Sequence, residues 1–112
     1  MVETLSNGKT RFAFVRPTDE TVYLVGDFNN WDESTHPMRR GPDGTHVLEM
    51  ELKPGEYEYK FKVGRVWFND YYAHKYVPNP WGSENSVAVI PEPRSARRAR
   101  STQAAQQDQL RP

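Results

Sequence analysis

The sequence predicts an all-β, antiparallel sandwich, on three observations. Apolar and polar residues alternate over runs of about four to eight residues, Gly/Pro/Asn/Asp turns separate the runs at short intervals, and residues 1–91 hold no convincing helical periodicity. The clearest run is Glu56-Tyr-Glu-Tyr-Lys-Phe-Lys-Val63, turned at Gly64-Arg65 and continued through Val66-Trp-Phe-Asn-Asp70. A two-residue turn with Gly first suits type II′ and pairs Val63 with Val66, Lys62 with Trp67, Phe61 with Phe68 and Lys60 with Asn69. Alternation then puts Tyr57, Tyr59, Phe61, Val63, Val66 and Phe68 on one face, and Glu56, Glu58, Lys60, Lys62, Trp67 and Asn69 on the other. An indole among lysines and an amide is not needed by a core, and invites a binding explanation.

The remaining elements follow in order. Residues 9–15 read as a first strand with Phe12 and Phe14 inward, and residues 21–27 as a second. Phe28 to Pro37 is a polar loop carrying Trp31, with Phe28 as a buried plug, and Met38 to Arg40 form a short strand. Gly41-Pro-Asp-Gly44 is a turn. Thr45 to Leu52 is a strand with Leu48, Met50 and Leu52 inward, and Lys53-Pro-Gly55 turns into the strand that begins at Glu56. Tyr71 to Glu84 is expected as a long loop with Pro78 and Pro80, and Asn85 to Ile90 as the last strand, closed by Pro91. The expected division is a sandwich over 1–91 and a basic, Gln/Ala-rich tail over 92–112, which has little to bury and is expected to be disordered.

Composition narrows the function classes. With 112 residues and no cysteine, one modest core is expected, without disulfides or a Cys-type zinc site. No apolar run approaches the roughly 20 residues of a membrane helix, and the first residues lack a signal-peptide pattern, so the expected location is cytoplasmic. Residues 94–112 hold five of the 15 basic residues and one acidic residue, which leaves the rest of the chain with a net charge of −4. An acidic body disfavours a nucleic-acid-binding surface and suits a neutral ligand. The arginines at 94, 97, 98 and 100 would give at most salt-sensitive, sequence-blind attachment, and a solvated tail is the plainer reading. His36, His46 and His74 are scattered without metal-ligand spacing, and no cofactor is expected.

Four motifs in order resemble a known family: Val22-Tyr-Leu-Val-Gly-Asp-Phe-Asn-Asn-Trp31, Gly55-Glu-Tyr-Glu-Tyr-Lys-Phe61, Val66-Trp-Phe-Asn-Asp70 and Gly82-Ser-Glu-Asn-Ser-Val87. They are similar to the family 48 carbohydrate-binding modules, which include isoamylase N-terminal domains and the glycogen-binding domain of the AMP-activated kinase β subunit. The resemblance runs from about residue 9 to 90. It implies an immunoglobulin-like, early-set sandwich that binds α-1,4-glucans without catalysis. Two tryptophans at the positions of Trp31 and Trp67 would stack on glucose rings, while Lys60 and Asn85 would hydrogen-bond hydroxyls. Trp81 and Ser83 fall where the family has an apolar supporting residue and a small hydroxyl. The sequence departs in having Tyr71 rather than Pro after Asp70, a bulkier Trp81, and Ser83 where Thr is common. Trp81 either adds a third stacking surface or fills the groove.

The chemistry suits a sugar. A pyranose has a C–H face that aromatic π faces cover and a hydroxyl rim that amide, ammonium and hydroxyl groups satisfy. Each residue also has a structural alternative: Trp67 under the 71–84 loop, Trp31 as a loop anchor, Lys60 paired with Glu56 or Glu58, Asn85 satisfying its own loop. Glycoside hydrolysis needs two carboxyl groups held about 5–9.5 Å apart, and Asp27, Asp32, Asp70 and Glu84 sit in no motif that does this. Asp27 and Asp70 read as turn formers. The expected partners are glycogen, starch or a maltooligosaccharide, with a glycogen-metabolising enzyme as a further partner to be targeted. The competing reading is a protein-interaction module on the same fold.

Overall fold

Alternation sorts the chain into two antiparallel sheets that face each other across an aromatic core. The computed structural model describes residues 1–92. Among them it has strands β1 (Val2–Thr4), β2 (Thr10–Val15), β3 (Val22–Gly26), β4 (Arg39–Arg40), β5 (Thr45–Met50), β6 (Gly55–Val63), β7 (Val66–Phe68), β8 (Lys75–Pro78) and β9 (Glu84–Ile90). A single 3₁₀ turn spans Asp27–Asn29. One sheet runs β1-β2-β5-β4 and the other β3-β6-β9-β8, with β7 also on β6. The all-β sandwich expected from the sequence is therefore present. The tail reading lies, beyond Glu92, outside the described residues.

The inward faces interlock through rings. Phe14 stacks on Phe61 with centroids 4.4 Å apart, and Phe12 meets the edge of Tyr59 at 5.1 Å. Phe12, Leu24, Tyr59 and Phe61 are completely buried, and Leu48, Met50, Leu52 and Phe28 pack against them. Each such ring contributes by its buried area, and edge-to-face and offset pairs add about 0.5–1.5 kcal/mol.

The hairpin at Gly64 has the expected register over three pairs: Val63 with Val66, Lys62 with Trp67, Phe61 with Phe68. Gly64 has φ +59° while Arg65 is not left-handed, as a type II′ turn requires. The pairing of Lys60 with Asn69 is not made, because β7 ends at Phe68. From Tyr59 back to Gly55 the same edge of β6 is taken over by β9, while β3 holds the opposite edge. Val66 also departs from expectation: beside the turn, it is beyond the core and exposed.

Two strands were not anticipated. Residues 2–4 pair with β2, and the expected 71–84 loop contains β8, an edge strand ending at Pro78 that pairs with β9. Proline is tolerated there because one side of an edge strand needs no donor.

Asp70 is more than a turn former. It is buried, and its Oδ2 accepts hydrogen bonds from the Tyr59 hydroxyl at 2.6 Å and from the Met1 amino group. Its Oδ1 accepts the Tyr72 N–H at 2.9 Å, and its own N–H donates to Ser86 Oγ at 2.8 Å. Ser86 Oγ in turn donates to Asn69 Oδ1 at 3.0 Å, and Asn69 Nδ2 donates to the Glu84 carbonyl at 2.9 Å. This network joins the end of β7 to the start of β9.

Gly26 marks a close approach rather than a turn. A Cβ there would stand 2.5 Å from the Glu58 carbonyl oxygen and 2.8 Å from Tyr59 Cβ, so one methyl group must push β3 off β6. Gly26→Ala is expected to lower unfolding free energy by about 1–3 kcal/mol, read from urea denaturation.

Burial first, and then the hydrogen bond to the Asp70 carboxylate, push the Tyr59 phenol well above its ordinary value of 10.0. Unfolded Tyr59 therefore loses its proton above about pH 10 while folded Tyr59 keeps it. The stabilisation is complete below that pH and drains away as the pH rises. Tyr59→Phe is expected to be less stable than the wild type by about 1–3 kcal/mol at pH 8, because a buried carboxylate loses a donor. Its deficit is expected to shrink by about 1.4 kcal/mol per unit above pH 10. Urea denaturation of both proteins from pH 8 to 11.5 measures this, and a constant gap would refute it.

Candidate functional site

The outer face of β6 carries Glu58, Lys60 and Lys62, as alternation requires. Beside it β7 contributes Trp67 and β9 contributes Asn85; the loop after β3 contributes Trp31, and the turn between β8 and β9 contributes Trp81 and Ser83. Together they form one open groove of about 640 Å³, lined by Trp31, Glu58, Lys60, Trp67, Asn79, Pro80, Trp81, Ser83 and Asn85. All six residues singled out in the sequence are among them.

Each indole is held differently. The Trp67 ring is 39% exposed, and the Lys62 ammonium lies 4.9 Å from its centroid. Lys62 also pairs with Glu33, so the cation over the ring is itself tethered to the loop after β3. Trp67 thus keeps an exposed surface in the groove, where Asn79, Pro80, Trp81 and Ser83 of the 71–84 segment line the same space. Trp31 is half-buried. Its indole N–H donates to Asp27 Oδ1 at 3.0 Å, and its backbone N–H donates to the Gly26 carbonyl at 2.9 Å. Asn30 and Trp31 are both left-handed, with φ of 56° and 57°, a conformation costly for a bulky side chain unless the surroundings fix it. Trp81 is 87% exposed at the tip of a turn in which Gly82 has φ +80°.

The loop bearing Trp31 is built on side-chain hydrogen bonds. Asn29 Oδ1 accepts the Gly26 N–H at 3.1 Å, and Asn29 Nδ2 donates to the Leu24 and Asp32 carbonyls, each at 3.2 Å. Ser34 donates from its backbone and its hydroxyl to Asp32 Oδ1, which holds the Asp32 carboxyl below its ordinary value. Asp27, read in the sequence as a turn former, does more. Its Oδ2 accepts the Glu58 N–H at 2.7 Å, so a carboxylate takes the place that a further residue of β3 would have filled.

The polar members divide by how much bonding capacity is spent. Among the described residues Lys60 forms no ion pair, so neither Glu56 nor Glu58 holds it. Glu56 pairs with Lys75 instead. Asn85 is buried, donates to Glu58 Oε1 at 3.0 Å and accepts from Asn79 Nδ2 at 3.0 Å. One N–H and one lone pair of its amide remain.

Sequence reasoning missed Glu58, Asn79 and Pro80 as groove residues and Asp27 as the support of Trp31. Glu58 was legible in principle, two residues from Lys60 on the same face. Asn79 had only the turn preference of Asn as a signal. Among the described residues no group of three or more His, Cys, Asp or Glu could hold a metal ion, and no helix is long and apolar enough to cross a membrane.

Comparison with known proteins shows the family of the chain. Over 64 residues the chain is 41% identical to the 1,4-alpha-glucan branching enzyme GlgB of Aquifex aeolicus (strain VF5), covering 52% of this chain and 10% of that protein. It is 36% identical over 89 residues to the enzyme of the same name from Nitrosomonas eutropha, covering 73% of this chain and 12% of that one. It is 47% identical over 49 residues to Protein FLOURY ENDOSPERM 6, chloroplastic, of Oryza sativa subsp. japonica, covering 44% and 9%. The chain thus spans about a tenth of the length of these relatives. The family profile described as the glycogen recognition site of AMP-activated protein kinase matches residues 6–95. With that match running over most of its 112 residues, from before β2 to past β9, the chain belongs to this family of glycogen-recognition, carbohydrate-binding modules.

Proposed function

We propose that this chain binds α-1,4-glucans non-catalytically in the groove above β6. Trp31 and Trp67 stack on glucose rings, Lys60, Asn85 and Ser83 hydrogen-bond hydroxyls, and Trp81 adds an exposed apolar surface. The observation that carries the reading is the convergence of these six residues, drawn from four separate parts of the chain, on one open groove. The family match and the relatives named as 1,4-alpha-glucan branching enzymes support the ligand class. A binding role is also supported by the lining, which has a single carboxylate, Glu58, where hydrolysis needs an opposed pair. Attachment of the module to glycogen or starch would hold a linked or partner glycogen-metabolising enzyme on its polymer.

Tryptophan fluorescence is the direct reporter. Titration with maltoheptaose is expected to give a dissociation constant of about 10 μM to 1 mM, or about −4 to −7 kcal/mol. Cellohexaose is the control: its straight β-1,4 chain cannot follow the curved α-1,4 path over the aromatic surface. Equal response to both sugars would refute α-glucan recognition.

Trp67→Ala removes the ring without touching the core, and is expected to abolish retardation in glycogen-containing gels while thermal unfolding is unchanged. Truncation after residue 91 is expected to leave the maltoheptaose affinity intact. Loss of binding on truncation would overturn the division of the chain at that point.

A further inference from the structure

Glu58 and Asn79, two groove residues that the sequence did not single out, belong with Asn85 to one hydrogen-bonded chain. Asn85 Nδ2 donates to Glu58 Oε1 at 3.0 Å, and Asn79 Nδ2 donates to Asn85 Oδ1 at 3.0 Å. Asn79 Oδ1 accepts the Trp81 N–H at 3.0 Å and the Ser83 N–H at 3.1 Å. The two ends of this chain are chemically fixed. An ionised carboxylate only accepts, and a backbone N–H only donates. Both ends therefore demand the same direction: each amide must turn its nitrogen toward Glu58 and its oxygen toward the Trp81 turn. A side-chain amide alone could sit either way round.

The direction matters because Asn85 keeps only one N–H and one lone pair for a ligand. Reversing its amide would exchange donor for acceptor at the groove wall. Asn79 is also the clasp of the turn that carries Trp81, since its backbone N–H donates to the Ser83 carbonyl at 2.9 Å as well. Glu58 itself is anchored from the other side, by the bond from its N–H to the Asp27 carboxylate that also receives the Trp31 indole N–H. The chain of bonds thus runs without a break from Trp31 across the sheet to Trp81.

We propose that Glu58 and Asn79 are positioning residues of the groove: the Glu58 carboxylate sets the direction of the Asn85–Asn79 amide chain, and that chain fixes both the hydrogen-bonding pattern of Asn85 and the seat of the Trp81 turn. The proposal deepens the glucan-binding reading and rests on it for its ligand.

The test is a reversal of the chain in the full-length protein. Asn79→Asp keeps an acceptor for the Trp81 and Ser83 N–H groups but sets a carboxylate against Asn85 Oδ1, so acceptor faces acceptor. Glu58→Gln removes the enforced direction. The double variant moves the charged acceptor to the opposite end and lets every bond re-form in reverse: the new amide at position 58 donates to Asn85 Oδ1, and Asn85 Nδ2 donates to the new carboxylate at position 79.

Without ligand, Asn79→Asp is expected to shift the Asn85 side-chain amide resonances in ¹H–¹⁵N spectra and to lower the thermal midpoint. The double variant is expected to recover the midpoint to that of Glu58→Gln alone. Additive losses in the double variant would overturn the proposal, as would unmoved Asn85 resonances in Asn79→Asp. If Asn79→Asp fails to fold, recovery of the fold in the double variant is the same support, and its failure the same refutation. With maltoheptaose, Asn79→Asp is expected to bind about tenfold more weakly than the wild type and Glu58→Gln about threefold. Unchanged affinity in Asn79→Asp overturns the positioning role. Absence of wild-type binding overturns the glucan reading instead, and the ligand-free arm still decides the amide chain.

Discussion

The groove depends on one constraint, that a single edge of β6 is shared in tandem by two strands. Residues 61–63 pair with β7 and residues 55–59 with β9, which leaves Lys60 at the handover without a partner on that edge. Antiparallel register puts paired residues on the same face. Trp67 of β7 therefore stands beside Lys62, on one side of Lys60. On the other side the register sets Val87 of β9 beside Glu58, and Asn85, two residues along β9 on the same face, reaches the Glu58 carboxylate by its side chain. What keeps β7 and β9 end to end is the buried Asp70 with Ser86 and Asn69. A carboxylate with no exposure is tolerable only when its lone pairs are filled, and here the Tyr59 hydroxyl, the Met1 amino group and the Tyr72 N–H fill them. The core ring that stacks under the sheet and the acid that splices its edge are thus bonded to each other.

On the opposite edge of β6 the same problem is solved differently. Strand β3 stops at Gly26, level with Tyr59, and the next β6 donor, the Glu58 N–H, would be left without an acceptor on that side. Asp27 supplies one from its side chain. The other oxygen of that carboxylate takes the Trp31 indole, so the device that ends the sheet also aims a ring. The left-handed backbone at Asn30 and Trp31 is the cost of turning back so sharply. Asn tolerates it, Trp does not, and the bonds to Gly26 and Asp27 over-determine the conformation.

Much of this was legible in the sequence, for reasons that differ by residue. Period-two alternation in 56–70 fixed the hairpin, its faces and the side on which Trp67 stands, because register and face are both decided by that period. The Gly-x-Phe-Asn-x-Trp motif located Trp31, but not why Gly26 is needed: a backbone approach from a strand some thirty residues away has no local signature. β8 was lost because it is only four residues long and ends in proline, which reads as loop. The handover at Lys60 was lost because a ladder shared between two strands looks, from one strand alone, like a longer hairpin. Glu58, Asn79 and Asp27 were missed as supports because hydrogen bonds between polar side chains distant in sequence leave no periodicity.

On the proposed reading, the arrangement would make so small a site specific without being tight. Trp67, Lys60, Glu58 and Asn85 stand on strands, and Trp31 and Trp81 on turns clasped by Asp27 and Asn79. Little of the protein would have to be ordered when a ligand arrives, so the entropic loss would fall chiefly on the proposed glucan. An open groove leaves one side of any bound chain in solvent, which limits the area that stacking can bury. Such a module gains most when several engage one polymer particle, where each further contact is intramolecular and the effective concentration replaces affinity. Rigid placement matters more in that setting than additional contacts, because rings already in register need no rearrangement to receive the next segment of polymer.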